Sequence, residues 1–152
     1  MASEVVAGGY VPRSFLDTNI LVYTDDPRDL AKQAAAATLV SDHLRRQTGV
    51  VSIQVLQEYF TAATGKLKLA PNLAKQRIAF FALLQVVQPG VSDILAAIDF
   101  HRLHHISFWD AMILHSAKQA GCRVLLTEDL QHGQTIDGVR IESVSVIVFR
   151  SL

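Results

Sequence analysis

The sequence predicts an α/β domain built as three layers, with helices on both faces of a mainly parallel sheet. Three observations predict it. Short apolar runs such as Phe15-Leu16, Gly49-Val50-Val51 and Val124-Leu125-Leu126 alternate with longer stretches of helical periodicity, the pattern of strands joined by helical crossovers. The helical stretches outnumber the strands, so one sheet has to serve them all. The chain has 152 residues, the length of one domain, and a domain of that size buries roughly 68–70% of its unfolded surface without disulfides.

Each element has a local reason. Residues 1–12, with Gly8-Gly9 and Pro12, read as a loose extension, and 13–152 read as the domain. Arg13 to Leu16 reads as a strand ending before Asp17, followed by a turn, and Asp25-Asp26-Pro27 breaks the chain. Leu30 to Arg46 is a helix, since Ala34 to Ala37 favour it strongly and Arg45-Arg46 suit its negative C-terminal end. Gly49 to Ser52 is a strand ending in a capping residue, and Ile53 to Ala63 is the helix that it caps, with Gly65 near the end. Pro71-Asn72 opens a helix running to about Phe81. Val86-Val87 is a short strand before Pro89-Gly90. Ser92 caps a helix to His105. Ser107 to Ala120 is the next helix, with Gly121 as its stop. Val124 to Thr127 is a buried strand, and Val139 to Ile141 and Val144 to Phe149 read as late strands. No internal repeat or low-complexity segment interrupts this order.

Composition removes several classes. Hydrophobic residues make up 50% and charged residues 18%, which excludes a disordered chain. Bases and acids number 14 each, which excludes a strongly basic DNA-coating protein and an acidic tail protein. Cys122 is the single cysteine, so no intrachain disulfide framework exists. Met1 to Ser14 carries Glu4, no early Lys or Arg and no apolar core segment, unlike a signal peptide. No apolar run approaches the ~18 residues of a membrane helix. The expectation is a soluble cytoplasmic protein without membrane contact. The neutral total hides an asymmetry. Between His43 and Ser92 stand Arg45, Arg46, Lys66, Lys68, Lys75 and Arg77 against the lone acid Glu58. Such a stretch is either a solvated helix face or a patch that attracts a polyanion.

Four acids draw attention. Asp17 follows the first strand and Asp129 follows Val124 to Thr127, and ligands of open α/β sheets bind outside such strand ends. Either alone is also ordinary turn chemistry. Asp110 completes the S-x-x-D pattern Ser107-Phe108-Trp109-Asp110, which is equally a helix cap. Glu58 lies on the polar stripe of Gln54, Gln57 and Thr61, opposite Ile53, Leu56, Tyr59, Phe60 and Ala63. Any one of them has a plain structural reading. Together they form an all-oxygen set suited to Mg²⁺ or Mn²⁺, which bind through a few carboxylates, waters and substrate phosphate. Two such ions ~3.5–4 Å apart activate a water and stabilise the leaving oxygen of a phosphodiester.

The segments around these acids carry a resemblance. Leu16-Asp17-Thr18-Asn19-Ile20-Leu21 resembles the opening motif of PIN-domain nucleases. Gln57-Glu58-Tyr59, Phe108-Trp109-Asp110-Ala111 and Leu126-Thr127-Glu128-Asp129 resemble the other three, in order and spacing, over roughly residues 14–141. Within that family the chain is most similar to VapC toxins, the ribonuclease half of bacterial type II toxin–antitoxin pairs. The resemblance implies a PIN-like fold and a Mg²⁺- or Mn²⁺-dependent endoribonuclease with Asp17, Glu58, Asp110 and Asp129 as catalytic, metal-holding acids. It implies supporting roles for Thr18, Asn19 and Thr127, a homodimer, and a cognate antitoxin that inserts a segment into the active groove. Asp129 is preferred to the adjacent Glu128 because Thr-x-Asp is the family pattern. Water as nucleophile leaves a 5′-phosphate and a 3′-hydroxyl. Lys66, Lys68, Lys75 and Arg77 are the candidates for gripping the RNA backbone. Transfer, ribosomal and messenger RNA are all compatible, since specificity comes from shape and loop contacts.

Two other functions compete. A phosphohydrolase with Asp17 as nucleophile, as in the haloacid dehalogenase superfamily, wants Asp-x-Asp, and Asn19 stands at the third position. A non-catalytic metal- or partner-binding domain keeps the acids only for fold or for metal binding. His101, His104 and His105 share one helical face, yet no further Cys or His completes a zinc set. Phe108, Trp109, Met112 and Ile113 read as core contacts, and Cys122 as an inert buried thiol.

Overall fold

Ser14, Phe15 and Leu16 are buried at all three positions and form β1 (Ser14–Leu16), which suits only the middle of a sheet. β1 pairs in parallel with β2 (Gly49–Ser52) on one side and with β4 (Val124–Leu126) on the other. The computed structural model describes residues 11–151, so only Val11 and Pro12 of the expected extension lie among the described residues. β3 (Gln85–Val87) extends the sheet beyond β2, and β6 (Val139–Glu142) extends it beyond β4, both in parallel. β5 (Thr135–Ile136) pairs antiparallel with β6 at the far edge. The sheet order is β3-β2-β1-β4-β6-β5.

The chain steps outward from β1 to β2 to β3 and then crosses back to β4. This reversal puts a topological switch between β1 and β4, where a ligand crevice opens outside the strands' carboxyl ends. Right-handed crossovers carry the connecting helices of the two halves to opposite faces. α1 (Thr18–Tyr23), α2 (Leu30–Arg46), α3 (Ile53–Gly65), α4 (Pro71–Phe81) and α7 (Val144–Ser151) form one packed group, through α1 with α2 and α3, α3 with α4, and α2 with α7. α5 (Val91–His104) pairs with α6 (Phe108–Gln119), which packs on β4 and β6. The core between them is apolar and includes Phe15, Leu16, Val50, Tyr59, Phe81, Leu114, Leu125 and Ile141. The expected α/β class with a mainly parallel sheet is the one observed.

Local chemistry sets most helix ends where the sequence places them. Asp29 caps α2, accepting from the Lys32 N–H at 3.1 Å, and Gln47 ends it in the left-handed region at φ 58°. Ser52 caps α3 through the Val55 N–H at 3.2 Å.

Three local expectations are corrected. The turn expected after Leu16 is the helix α1, held by Asp17 at its N-cap and by burial of Ile20, Leu21 and Val22. A six-residue helix has little stability of its own, so the cap and the packing decide it. Gly90, not Ser92, is the N-cap of α5. The Asp93 carboxylate reaches back to accept from the Gly90 N–H at 2.7 Å, so the cap lies two residues earlier than expected. Val144 to Phe149, expected as a strand, belongs to α7. β6 already has β4 and β5 on its two sides, so the next segment finds no open edge there and packs as a helix on α2. Its β-branched composition is overridden by tertiary context. The β5–β6 hairpin adds a strand to those that the sequence predicts. Asp137 and Gly138 take φ 48° and 84°, the two positive values of a type I′ turn that the Asp-Gly pair supplies.

One close approach in this frame is testable. A Cβ on Gly49 would stand 2.6 Å from Leu84 Cδ2 and 2.8 Å from His43 Cβ. Leu84 can swing, whereas the His43 Cβ is fixed to α2. Gly49→Ala is expected to lower unfolding stability by about 1–3 kcal/mol in urea denaturation. An unchanged midpoint would mean that α2 and β2 are not in this tight contact.

Candidate active site

The centre of the site is a hydroxyl. Asp17 leaves the end of β1, and its N–H donates to the Leu126 carbonyl of β4 at 3.0 Å. Its Oδ1 accepts from the Thr18 N–H at 2.7 Å, capping α1. Its Oδ2 accepts from Thr127 Oγ1 at 2.7 Å. Thr127, 1% exposed, follows β4 and donates its own N–H to the Glu142 carbonyl of β6. The same Thr127 oxygen accepts from the Asp129 N–H at 3.1 Å. One buried hydroxyl thus ties the acid of β1 to the segment that carries the acid after β4.

The other two acids arrive on helices. Glu58 is exposed on α3, where Thr18 Oγ1 donates to its Oε1 at 3.1 Å and Gln54 Nε2, one turn earlier, donates at 3.4 Å. An open groove beside it is lined by Thr18, Gln57, Glu58 and Thr61. Asp110 lies in the first turn of α6, half-buried, with its N–H donating to the capping Ser107 Oγ at 3.0 Å. The electrostatics bring Asp129 and Glu58 close to Asp17, and Asp129 close to Asp110. Burial, the largest effect, pushes Asp17 from an ordinary 3.8 up to about 6. The Thr127 and Thr18 hydrogen bonds oppose this, and the charges of Asp129 and Glu58 add to it. Burial also raises Asp110, against the Ser107 hydroxyl, and the Asp129 charge raises it further. Like charges at close quarters produce this pattern.

The family is decided by the match over most of the chain. The sequence fits the PIN domain family over residues 14–135. The chain belongs to the PIN-domain family. No curated protein matches its sequence. Solved structures share the fold. VapC20 of Mycobacterium tuberculosis, described as a sarcin-ricin loop cleaving toxin, superposes with a TM-score of 0.61 at 19% identity, over 74% of this chain and 86% of its own. The DNA-bound VapBC of Salmonella typhimurium gives 0.61 at 21% identity, over 88% and 99% of the two chains. VapBC2 of Rickettsia felis, bound to a promoter DNA fragment, gives 0.63 at 15% identity, over 86% and 97%. At these identities the likeness is one of fold.

The PIN-domain acids are suited to a hard divalent cation. Every side chain converging here offers oxygen. Asn19 adds an Oδ1 that is buried without a hydrogen-bond partner, an acceptor beside the acids in the chain. Among the described residues no three His, Cys, Asp or Glu side chains form a group that could hold a metal by itself. The arrangement is therefore open, and a cation there would share its oxygens among carboxylates, water and substrate.

The neighbours of the acids divide sharply. Glu128 turns away from Asp17. Its carboxylate accepts from the Ser143 and Ser145 hydroxyls and from Tyr23 OH at 3.3 Å, with Lys32 Nζ at 3.7 Å. Burial works to raise Glu128, but those hydroxyls and the Lys32 ammonium hold its carboxyl below the ordinary value. It fastens α7 and α2 to the β4 end, while Asp129 carries its charge toward Asp17 and Asp110. Lys66, Lys68 and Lys75 are exposed. Arg77 is not available as they are, because it is paired with Asp25. Trp109, expected in the core, is 62% exposed. Its ring meets that of Phe108 edge to face, at 5.1 Å between centroids, and the core side of this turn is taken by Phe108, Ala111 and Met112. His101 bonds the Ile106 carbonyl and His104 packs on Phe100. Cys122 is buried, and burial pushes its thiol up to about 12, so it is inert. Gln54 is an orienting residue that its i, i+4 spacing to Glu58 could have signalled.

The raised Asp17 has a stability consequence. A carboxyl with a folded pKa of about 6 against 3.8 favours the folded state below pH 3.8, and that advantage is lost as pH rises through 6. At neutral pH the metal-free protein carries strain on the order of 3 kcal/mol from this group. Asn caps a helix as well as Asp does. Asp17→Asn is therefore expected to melt higher than the wild type at pH 7.5 in chelator, with the gap closing by pH 4. A gap of the same size at both pH values would show that the ionised carboxylate is not under strain.

Proposed function

We propose that this PIN domain, residues 13–152, is a Mg²⁺- or Mn²⁺-dependent endoribonuclease and the toxin of a toxin–antitoxin pair. The observation that carries the reading is the joining of Asp17 to the Asp129 segment through Thr127, with Glu58 and Asp110 supplied by two helices around the same crevice. Four acids drawn from four segments, two of them raised by burial and by neighbouring acids of the set, are a costly arrangement for solvation alone. They are a useful one for holding cationic charge against a phosphodiester.

Asp17, Glu58, Asp110 and Asp129 would hold the cation. When bound, a divalent cation supplies Lewis-acid activation of water and neutralises charge at the scissile phosphate. Thr127 and the Thr18 N–H keep Asp17 pointed into the crevice, and Thr18 Oγ1 with Gln54 keeps Glu58 at its rim. An ionised acid of the set takes the proton of the attacking water. In-line attack leaves a 5′-phosphate and a 3′-hydroxyl. Because Asp17 must ionise to hold the cation, cation binding to the metal-free protein is expected to strengthen as pH rises toward about 6 and to level off above it. Lys66, Lys68 and Lys75, exposed beyond α3 and on α4, are the backbone-gripping cations. The open groove beside Glu58 suits an inserted antitoxin segment. A second copy of the chain would cover α5, which exposes Val91, Ile94, Leu95 and Ile98 along one face. Asp17 has both oxygens engaged by Thr18 and Thr127, which argues against its use as a phosphohydrolase nucleophile.

The deciding experiment is incubation of purified, antitoxin-free protein with a structured RNA pool in Mg²⁺, in Mn²⁺ and in chelator, beside Asp110→Asn. Cuts that need the cation and fall at least 100-fold in the variant are expected. No cutting by folded protein would leave the non-catalytic binding domain, and cuts that survive chelator would sink the mechanism. For the dimer, Leu95→Asp is expected to halve the mass seen by light scattering while leaving the far-UV spectrum unchanged. A wild type that is already monomeric would remove that part of the proposal.

A further inference from the structure

Arg77 belongs to a clamp. Its Nε lies 3.1 Å from Asp25 and its Nη2 donates to Thr24 Oγ1 at 3.0 Å. The guanidinium also lies over two rings, 4.9 Å from the centroid of Phe81 and 5.4 Å from that of Phe80, so the cation is held on several sides. The same Asp25 carboxylate accepts from Tyr59 OH at 2.5 Å. Tyr59 is wholly buried and stands edge-on to Phe81, 5.0 Å between centroids. One carboxylate just past the end of α1 thus gathers a hydroxyl from α3 and a guanidinium from α4.

The consequence lies one residue away. Tyr59 follows Glu58, and Glu58 is bonded by Thr18 at the start of α1. The short helix α1 is therefore tied to the same point of α3 at both its ends, by Thr18–Glu58 and by Asp25–Tyr59. Loosening the second tie lets α3 turn or slide against α1, and Glu58 moves with it. Asp17 has its own ties to Thr18 and Thr127, so Glu58 is the acid whose place depends on the clamp.

We propose that Arg77, Asp25 and Tyr59 are positioning residues that set the Glu58 carboxylate relative to Asp17, and that Arg77 does not grip RNA. The inference rests on the reading of Glu58 as a cation-holding acid. Partners that orient a ligating side chain are typically worth 10–100-fold in metal affinity.

The test uses the full chain and two readouts. Mn²⁺ binding is measured by titration calorimetry without RNA for wild type, Arg77→Gln, Arg77→Lys and Tyr59→Phe. The salt dependence of RNA binding is measured in chelator for wild type, Arg77→Gln and Lys75→Ala. Arg77→Gln is expected to weaken Mn²⁺ binding about 10-fold and to lower kcat with KM unchanged, with Arg77→Lys recovering part of the loss. Tyr59→Phe removes one hydroxyl while keeping the ring against Phe81. It is expected to fall in the same direction, which keeps the test decisive if Arg77→Gln does not fold. The salt slope is expected to hold in Arg77→Gln and to drop by about 0.7–0.9 in Lys75→Ala. Wild-type Mn²⁺ affinity in both Arg77→Gln and Tyr59→Phe would overturn the clamp while leaving the nuclease standing. A lowered salt slope with raised KM in Arg77→Gln would return Arg77 to the RNA surface. A wild type that binds no Mn²⁺, alone or with RNA present, would overturn the reading of Glu58 as a cation-holding acid, and with it any need to position it.

Discussion

The site depends on the Thr127 hydroxyl. It is a donor to Asp17 and an acceptor for the Asp129 N–H, and it sits where β1 and β4 end side by side. Two strands that the chain reaches more than 100 residues apart, as the spacing of that bond records, are joined there by one side-chain oxygen in addition to their ladder and the Asp17 N–H bond to Leu126. A valine of the same shape would fill the space and leave one carboxylate without its donor and one backbone N–H without its acceptor, a loss typical of buried polar groups. The switch in strand order supplies the crevice, and this hydroxyl determines which side chains stand in it.

Around it the protein treats its acids in two ways. Glu128 is given two serine hydroxyls, a tyrosine and a lysine, and its carboxyl is held below the ordinary value. Asp17 is given burial and two acidic neighbours and is pushed to about 6. Glu128 is satisfied within the fold and acts as a fastener for α7. Asp17 is left with unmet negative charge, which a cation or a proton can answer. Strain of this kind persists where the surrounding structure over-determines it, and such places are commonly functional.

The rest of the molecule over-determines it well. β1 is buried on both faces between β2 and β4, so Asp17 cannot drift. α1 is too short to be stable alone, yet it is held by its cap, by Ile20, Leu21 and Val22 in the core, and by the polar ties at its two ends. α6 brings Asp110 by a capping serine that also fixes the helix start. Rigid elements rather than loops thus carry three of the four acids to the crevice, which suits a site whose geometry must be kept while its charges repel.

Much of this was legible in the chain. Periodicity and capping residues set α2, β2, α3, α4 and α6 almost to the residue, because Asp29, Ser52, Pro71 and Ser107 act on their immediate neighbours. The four candidate acids were legible for two reasons: Asp17, Asp110 and Asp129 stand at or just past the end of an element that local pattern defines, and Glu58 falls on the polar stripe of a helix. Where the structure departed from the pattern, distant contacts decided. Val144 to Phe149 has a strand's composition and became a helix because β6 had no free side. Trp109 has a core residue's chemistry and faces solvent because Phe108 and Met112 fill the core behind it. Arg77 looked like one basic residue among several until Asp25 and the two rings closed on it. Whether Glu128 or Asp129 faces Asp17 depended on Ser143 and Ser145, which lie 15 and 17 residues from Glu128. The sequence by itself determined most of the elements, since helix caps and hydrophobic period are interactions of near neighbours. Only the tertiary structure decided the partner of each charge, because a carboxylate's pKa and direction are set by whatever burial and hydrogen bonds the fold brings to it.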